Sequence, residues 1–159
     1  MNTNIVKAKA LSIWIFFIPF IAVNICLYIT TNLHFLIDQP YRLFNTFPYF
    51  DGGTSISRTA RYYPNYLIFK PAMFITSYLL IKYWLLNKEI INSFEKDHKY
   101  IKKFVFFGIA SAISLILHSI FLGISFDIDL YKLFRRVVML SFIIFEVVAQ
   151  TYLVLSLYS

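Results

Sequence analysis

The chain has 159 residues, of which 59% are hydrophobic and only 14% charged, with a net charge of +7. A soluble globular domain carries about 25% charged residues, so the composition excludes that class. The positive balance does not mark a nucleic-acid binder either. Lysines and arginines sit at the ends of apolar blocks, where positive charge sets orientation and meets anionic lipid, and they form no basic stripe on a soluble domain.

The apolar residues fall into blocks of about 20, the length a helix needs to cross a bilayer. The first block runs from about Ala10 to Thr30 behind Lys7 and Lys9. It exceeds the h-region of a signal peptide and ends without a small-residue cleavage site, so it reads as a retained span. Pro19 lies in mid-span and predicts a bend. Asn24, just beyond, can reach a freed carbonyl or a neighbouring helix. Cys26 is the one cysteine; a lone thiol staples nothing and reads as a small packing residue.

A long external loop follows, 32–65. Loops of this length are usually functional or carry structure of their own. Its first part, "LHFLIDQPYRLFN", is apolar enough to lie on an interface. Its second part, "DGGTSISRTAR", is chemically different. Gly52 and Gly53 can take positive φ and turn backbone N–H groups inward. Thr54, Ser55, Ser57 and Thr59 add hydroxyls. Arg58 and Arg61 stand three apart, on one side of any helical turn, and guanidinium groups grip phosphate bidentately. The segment adjoins the next span at head-group depth, so anionic phospholipid head groups are the candidate ligands. The plainer reading is that the arginines anchor a helix end and the glycines make a turn. A Walker phosphate loop is excluded because its lysine and spacing are absent.

The second span is drawn at about Tyr66 to Leu86, with Pro71 near its start, the third at about Ile101 to Ile124 and the fourth at about Val137 to Leu157. None alternates as a barrel strand would, and only helices and closed barrels satisfy their backbone in lipid. The expected fold is therefore all-α: a single-domain polytopic integral membrane protein, a four-transmembrane-helix bundle with a long non-cytoplasmic first loop. Lys7 and Lys9, with Lys82, Lys88, Lys96, Lys99, Lys102 and Lys103 around the 88–103 loop, put the N-terminus and that loop on the cytoplasmic side. Arg42, Arg58, Arg61, Lys132, Arg135 and Arg136 lie on the other. Trp14 and Trp84 read as an interfacial aromatic belt.

Ionisable residues within spans are functional candidates by default. His118 shares a helical face with Ser114 and Ser111, four and seven residues back, while Glu146 precedes Gln150 by one turn. A buried carboxylate is costly, so Glu146 is expected to be protonated or paired with His118 or an interface arginine. A His118–Glu146 couple would serve a proton relay or acid–base chemistry; the plainer alternative is interhelical hydrogen bonding that holds the bundle. Asp127 and Asp129 are read as solvated charges of the third loop, the alternative being that they neutralise Arg135 and Arg136. His34, His98 and His118 lie in different regions, so no metal set is legible and no cofactor is implied.

From Phe47 to about Asn87 the chain resembles the damage-regulated autophagy modulator family and its relatives in GPI-anchor lipid remodelling. Pro48-Tyr49, Asp51, Gly53-Thr54 and Pro64 stand in the order found in that family's first external loop, and "YLIFKPAMFITSYLLIKYWLL" follows as the second span. The resemblance implies a polytopic protein working on or beside lipids, without defined catalytic residues. The family has six spans where four are drawn here. Three functions are consistent with the sequence: a non-enzymatic binder of lipid head groups, an accessory subunit docked on other membrane subunits, and a membrane-embedded enzyme or proton-coupled transporter using His118 and Glu146.

Overall fold

The computed structural model describes residues 2–33, 35, 48–52, 54–94, 99–124 and 129–158, with backbone only for Asn2, Pro48, Asp51 and Ser57. Four long helices carry the fold: α1 (Asn2–Asn32), α4 (Asn65–Phe94), α5 (Ile101–Phe121) and α6 (Asp129–Tyr158). Two single turns, α2 (Pro48–Asp51) and α3 (Ile56–Thr59), lie in the first loop. No strand occurs among the described residues. The protein is a helical integral membrane protein: α1, α5 and α6 are each long and apolar enough to cross a membrane.

The second span drawn from sequence corresponds to α4, which matches α6 in length at 30 residues but is not among these three. Lys70 and Lys82 dilute its apolar run. Both ammonium groups lie over the tyrosine ring one turn back, Lys70 over Tyr66 at 5.9 Å and Lys82 over Tyr78 at 4.6 Å, a favourable cation–π placement.

The helices pack in chain order, α1 on α4, α4 on α5 and α5 on α6. Each neighbour runs antiparallel to the last. One end of the molecule, the loop-1 end, therefore gathers the C-termini of α1 and α5 and the N-termini of α4 and α6. The opposite end carries the lysine-rich 88–103 hairpin. Here Asn4 of α1 donates to Glu89 of α4 at 3.2 Å, and Tyr100 stacks on Tyr152 at 5.7 Å with Lys103 over the Tyr152 ring.

Small residues permit the close approach that helix pairing in lipid requires, because apolar burial gives no net drive there. On α1 the buried stripe is Ala22, Cys26 and Thr30, at four-residue spacing. On α5 it is Gly108, Ser111, Ala112, Leu115, His118 and Ser119. Its serines satisfy themselves on their own helix, Ser111 to the Gly108 carbonyl at 2.8 Å, Ser114 to Ala110 at 2.9 Å and Ser119 to Leu115 at 2.9 Å, so they enter apolar contacts without stranding a donor.

Two core clusters result. Towards the hairpin end, Leu80, Trp84, Ile91, Ile101, Phe104, Ala112, Ala149 and Leu153 pack together. Towards the loop-1 end, Cys26, Ala60, Phe69, Met73, Leu115 and Leu122 do so. Trp84 is thus not a belt residue. It is fully buried, with its indole seated on Gly108 so closely that a Cβ there would fall on the ring atoms Cγ, Cδ1 and Cδ2. Trp14, by contrast, is 58% exposed.

Pro19 lies inside α1, as drawn from the sequence. Several boundaries differ from the sequence expectation. Pro71 lies inside α4 rather than in its first turn, because the helix begins at Asn65. α6 begins at Asp129, eight residues before the drawn span, and Asp129 pairs with Lys132 at 3.1 Å, not with Arg135 or Arg136. Asp127, most of "LHFLIDQPYRLFN" and Gly53 lie outside the described residues.

Candidate functional site at the loop-1 end

The loop-1 end is built around Asn65, which opens α4 and is fully buried. Its Nδ2 donates to the Cys26 carbonyl at 3.1 Å, to Thr30 Oγ1 at 2.8 Å and to the Thr59 carbonyl at 2.9 Å. Thr30 donates in turn to the Cys26 carbonyl at 2.8 Å. One amide therefore fastens α1, α3 and α4 together. The carbonyl it takes from Thr59 fixes the end of α3, and Ala60 beside it is fully buried against Cys26, Phe69 and Leu122.

This anchoring sets Arg58 and Arg61 apart. Arg58 is exposed and Arg61 half-buried. The Arg61 carbonyl lies 3.3 Å from where a Cβ on Gly123 would stand, and Gly123 has φ +91°. Glycine at 123 thus lets the chain leaving α5 pass against the Arg61 backbone in a conformation other residues rarely adopt. Arg61 is thereby carried to the mouth between α5 and α6. There it comes close enough to Arg135 of α6 for the two charges to repel, and His118 of α5 feels the same Arg135. Arg135 is also 5.9 Å from the Tyr131 ring.

Six buried side-chain polar atoms lack a hydrogen-bond partner among the described residues: Thr54 Oγ1, Arg61 Nε, Asn65 Oδ1, Trp84 Nε1, His118 Nδ1 and Arg135 Nε. All but Trp84 belong to the loop-1 end. Buried polar groups are normally paired, so this concentration distinguishes the end from the rest of the bundle. The only ion pair among the described residues is Lys132–Asp129; neither Arg61 nor Arg135 takes part in it.

The remaining predicted positions divide. Gly52 adopts φ +62°, and Thr54 is half-buried while Ser55 is exposed. Asn24 donates to the Phe20 carbonyl on its own helix at 2.7 Å and accepts from the Tyr49 hydroxyl at 2.8 Å, tying α2 to α1. The His118–Glu146 couple is not made. Ser111 Oγ meets Glu146 Oε2 at 2.7 Å, and Gln150 Nε2 donates to Oε1 at 3.1 Å. His118 lies seven residues beyond Ser111 on α5, about 10 Å along the axis. Glu146 therefore acts as a polar bridge between α5 and α6. An amide at that position can donate to Ser111 and accept from Gln150, so Glu146→Gln is expected to shift thermal stability in detergent by less than about 1 kcal/mol, whereas Glu146→Leu removes both bonds and leaves the Gln150 amide without its acceptor, at a cost of about 1–3 kcal/mol. Equal losses in the two variants would remove the bridge reading.

Sequence reasoning missed Asn65, Trp84, Gly108 and the partnership of Arg61 with Arg135. Gly108 alone left a signal, since Gly108-x-x-x-Ala112 in an apolar span is a small-residue packing pattern. A scan of protein-family models gives no match to the chain, and searches of curated proteins and of solved structures give none.

Proposed function

We propose that the protein is a non-enzymatic integral membrane protein that binds anionic lipid head groups at the loop-1 end and so affects lipid handling. The observation that carries this reading is a concentration of arginine at the loop-1 end. Arg58, Arg61, Arg135 and Arg136 lie in the first loop and the opening turns of α6, and the one carboxylate whose side chain is described there, Asp129, pairs with Lys132. Guanidinium groups at a membrane boundary attract anionic lipid. The lysine-rich hairpin at the far end places that end in the cytoplasm under the positive-inside rule, with the loop-1 end on the opposite leaflet. The resemblance to the lipid-remodelling families agrees with this assignment.

In native mass spectrometry, Arg58→Ala combined with Arg61→Ala is expected to reduce retained anionic phospholipid by roughly tenfold, the loss of one to two charged hydrogen bonds. Unchanged retention counts against the proposal.

A second reading, an accessory subunit of a larger membrane complex, is favoured by Gln150. It is exposed on α6 within an otherwise apolar face that includes Ile143, Val147 and Val154, and a carboxamide facing lipid gains by bonding to a neighbouring helix. Constant co-purification of another membrane protein in mild detergent supports that reading over the first.

A further inference from the structure

We infer that Arg61, Arg135 and His118 form a seat for a single phosphoryl group, and that an acyl chain of the same lipid lies along α6 beside it. The inference rests on the head-group reading and sharpens it from a charged surface to a defined position and ligand class: a diacyl lipid whose phosphate is terminal, as in phosphatidate.

The reasoning starts from depth. His118 is three residues inside the end of α5, about 4.5 Å below it, and 8% exposed. Its Nδ1, together with the Nε atoms of Arg61 and Arg135, is buried without a partner among the described residues. A ligand that engages these atoms must bring its anion down to the helix ends. A long or bulky head group on a phosphodiester keeps its substituent between phosphate and protein; a terminal phosphate does not. Charge agrees with depth. Two guanidiniums within mutual repulsion, with no carboxylate bonded to either among the described residues, suit a phosphomonoester, which carries close to two negative charges near neutral pH. Arg supplies fork geometry for the phosphoryl oxygens, and the imidazole nitrogen can donate to a third.

The chain has a place as well. A groove of about 540 Å³ runs along α6, lined by Leu130, Tyr131, Leu133, Phe134 and Val137. Tyr131 of this lining also faces the Arg135 guanidinium at 5.9 Å, so a chain leaving a phosphate held there borders the groove. Phe121 of α5 packs edge-on to Phe134 at 5.3 Å and to Tyr131 at 6.3 Å, which joins the groove to the α5 end that carries His118. Free phosphate would use the seat but not the groove.

The test uses the full chain in mild detergent with added dioleoyl phosphatidate, dioleoyl phosphatidylglycerol, dioleoyl phosphatidylcholine or inorganic phosphate. Binding is read by native mass spectrometry and by the ligand-induced shift in thermal unfolding. The parent protein is expected to retain phosphatidate best and to show a smaller shift with inorganic phosphate, which fills the seat alone. Arg135→Gln is expected to lose phosphatidate affinity about tenfold or more, while Lys88→Gln, at an exposed position of the hairpin end, stays within about twofold. Without lipid, Arg135→Gln should unfold at or above the parent's temperature, because a like-charge repulsion is removed; this separates loss of the seat from loss of the fold. Equal phosphatidate retention by Arg135→Gln and the parent overturns the seat, and the head-group reading survives if the parent still prefers anionic to zwitterionic lipid. A parent without that preference overturns both. Inorganic phosphate that competes as well as phosphatidate overturns the lipid assignment.

Discussion

Gly108→Ala is expected to destabilise the bundle by about 1–3 kcal/mol, the usual cost of forcing a methyl into a filled core, even though alanine is the better helix former by nearly 1 kcal/mol. The reason is the Trp84 indole. It is fully buried, and the added Cβ would overlap its Cγ, Cδ1 and Cδ2. Those atoms lie at the root of the side chain, so the ring cannot swing aside without moving α4 away from α5. Trp84 Nε1 is itself buried without a partner among the described residues, a cost of about 1–3 kcal/mol that the ring's packing in its core cluster, against Gly108 and Phe104 in particular, offsets. Any shift that loosens the packing therefore leaves that cost uncovered. A double-mutant cycle separates the mechanism from a generic glycine effect. In a Trp84→Ala background the indole is gone, and Gly108→Ala should become neutral or stabilising. The measurement is thermal unfolding in detergent, followed by the loss of monodisperse protein on size exclusion. A Gly108→Ala variant as stable as the parent would show that the indole is not seated there.

What the sequence revealed and what it hid follow from how local each signal is. Hydropathy is a sum over neighbours, so the four long helices could be drawn from composition, and three of them are apolar enough to span on that measure alone. Their ends were less legible. Polar residues such as Asp129 and Lys132 look like loop in a hydropathy window, yet they form a helical first turn with their own ion pair. Trp84 shows the limit of compositional rules. A tryptophan near the end of a span resembles an interface anchor, and nothing in its neighbours along the chain announces that Gly108 waits 24 residues away. Arg61 and Arg135 fall under the same limit. Each was visible as a loop cation, but their meeting depends on Asn65 and Gly123 drawing the first loop against the α5–α6 mouth. Glu146 was visible as an intramembrane carboxylate; its partner Ser111 was on the page as well, but the pairing with His118 seemed as reasonable until the helix register placed His118 about two turns away.

Asn65→Asp is expected to be the most damaging near-isosteric change in the molecule. Asparagine at the start of a helix invites interpretation as a solvated cap, yet Asn65 is fully buried and its Nδ2 faces three oxygens, those of Cys26, Thr30 and Thr59. Aspartate keeps the shape and removes every donor. A carboxylate would then face carbonyl and hydroxyl oxygens where an N–H had been, in a buried site with no cation bonded to it. Leaving a buried charge uncompensated costs about 3–5 kcal/mol, a large share of the stability of a domain this size. Asn65→Leu removes the same hydrogen bonds without adding charge and should cost less, about 2–4 kcal/mol, from stranded acceptors. Asn65→Asp should recover towards Asn65→Leu as the pH is lowered, since protonation returns a donor to the site. The order of the two variants is thus the diagnostic, read as apparent unfolding temperature in the same detergent at two pH values. Because the Thr59 carbonyl is one of the three partners, both variants should also release the segment that carries Arg61. Phosphatidate retention should then fall in parallel with the loss of the Asn65 bonds, even in the fraction of protein that stays monodisperse. Retention that persists while stability drops would mean that Arg61 is held in place by Ala60 and Gly123 alone.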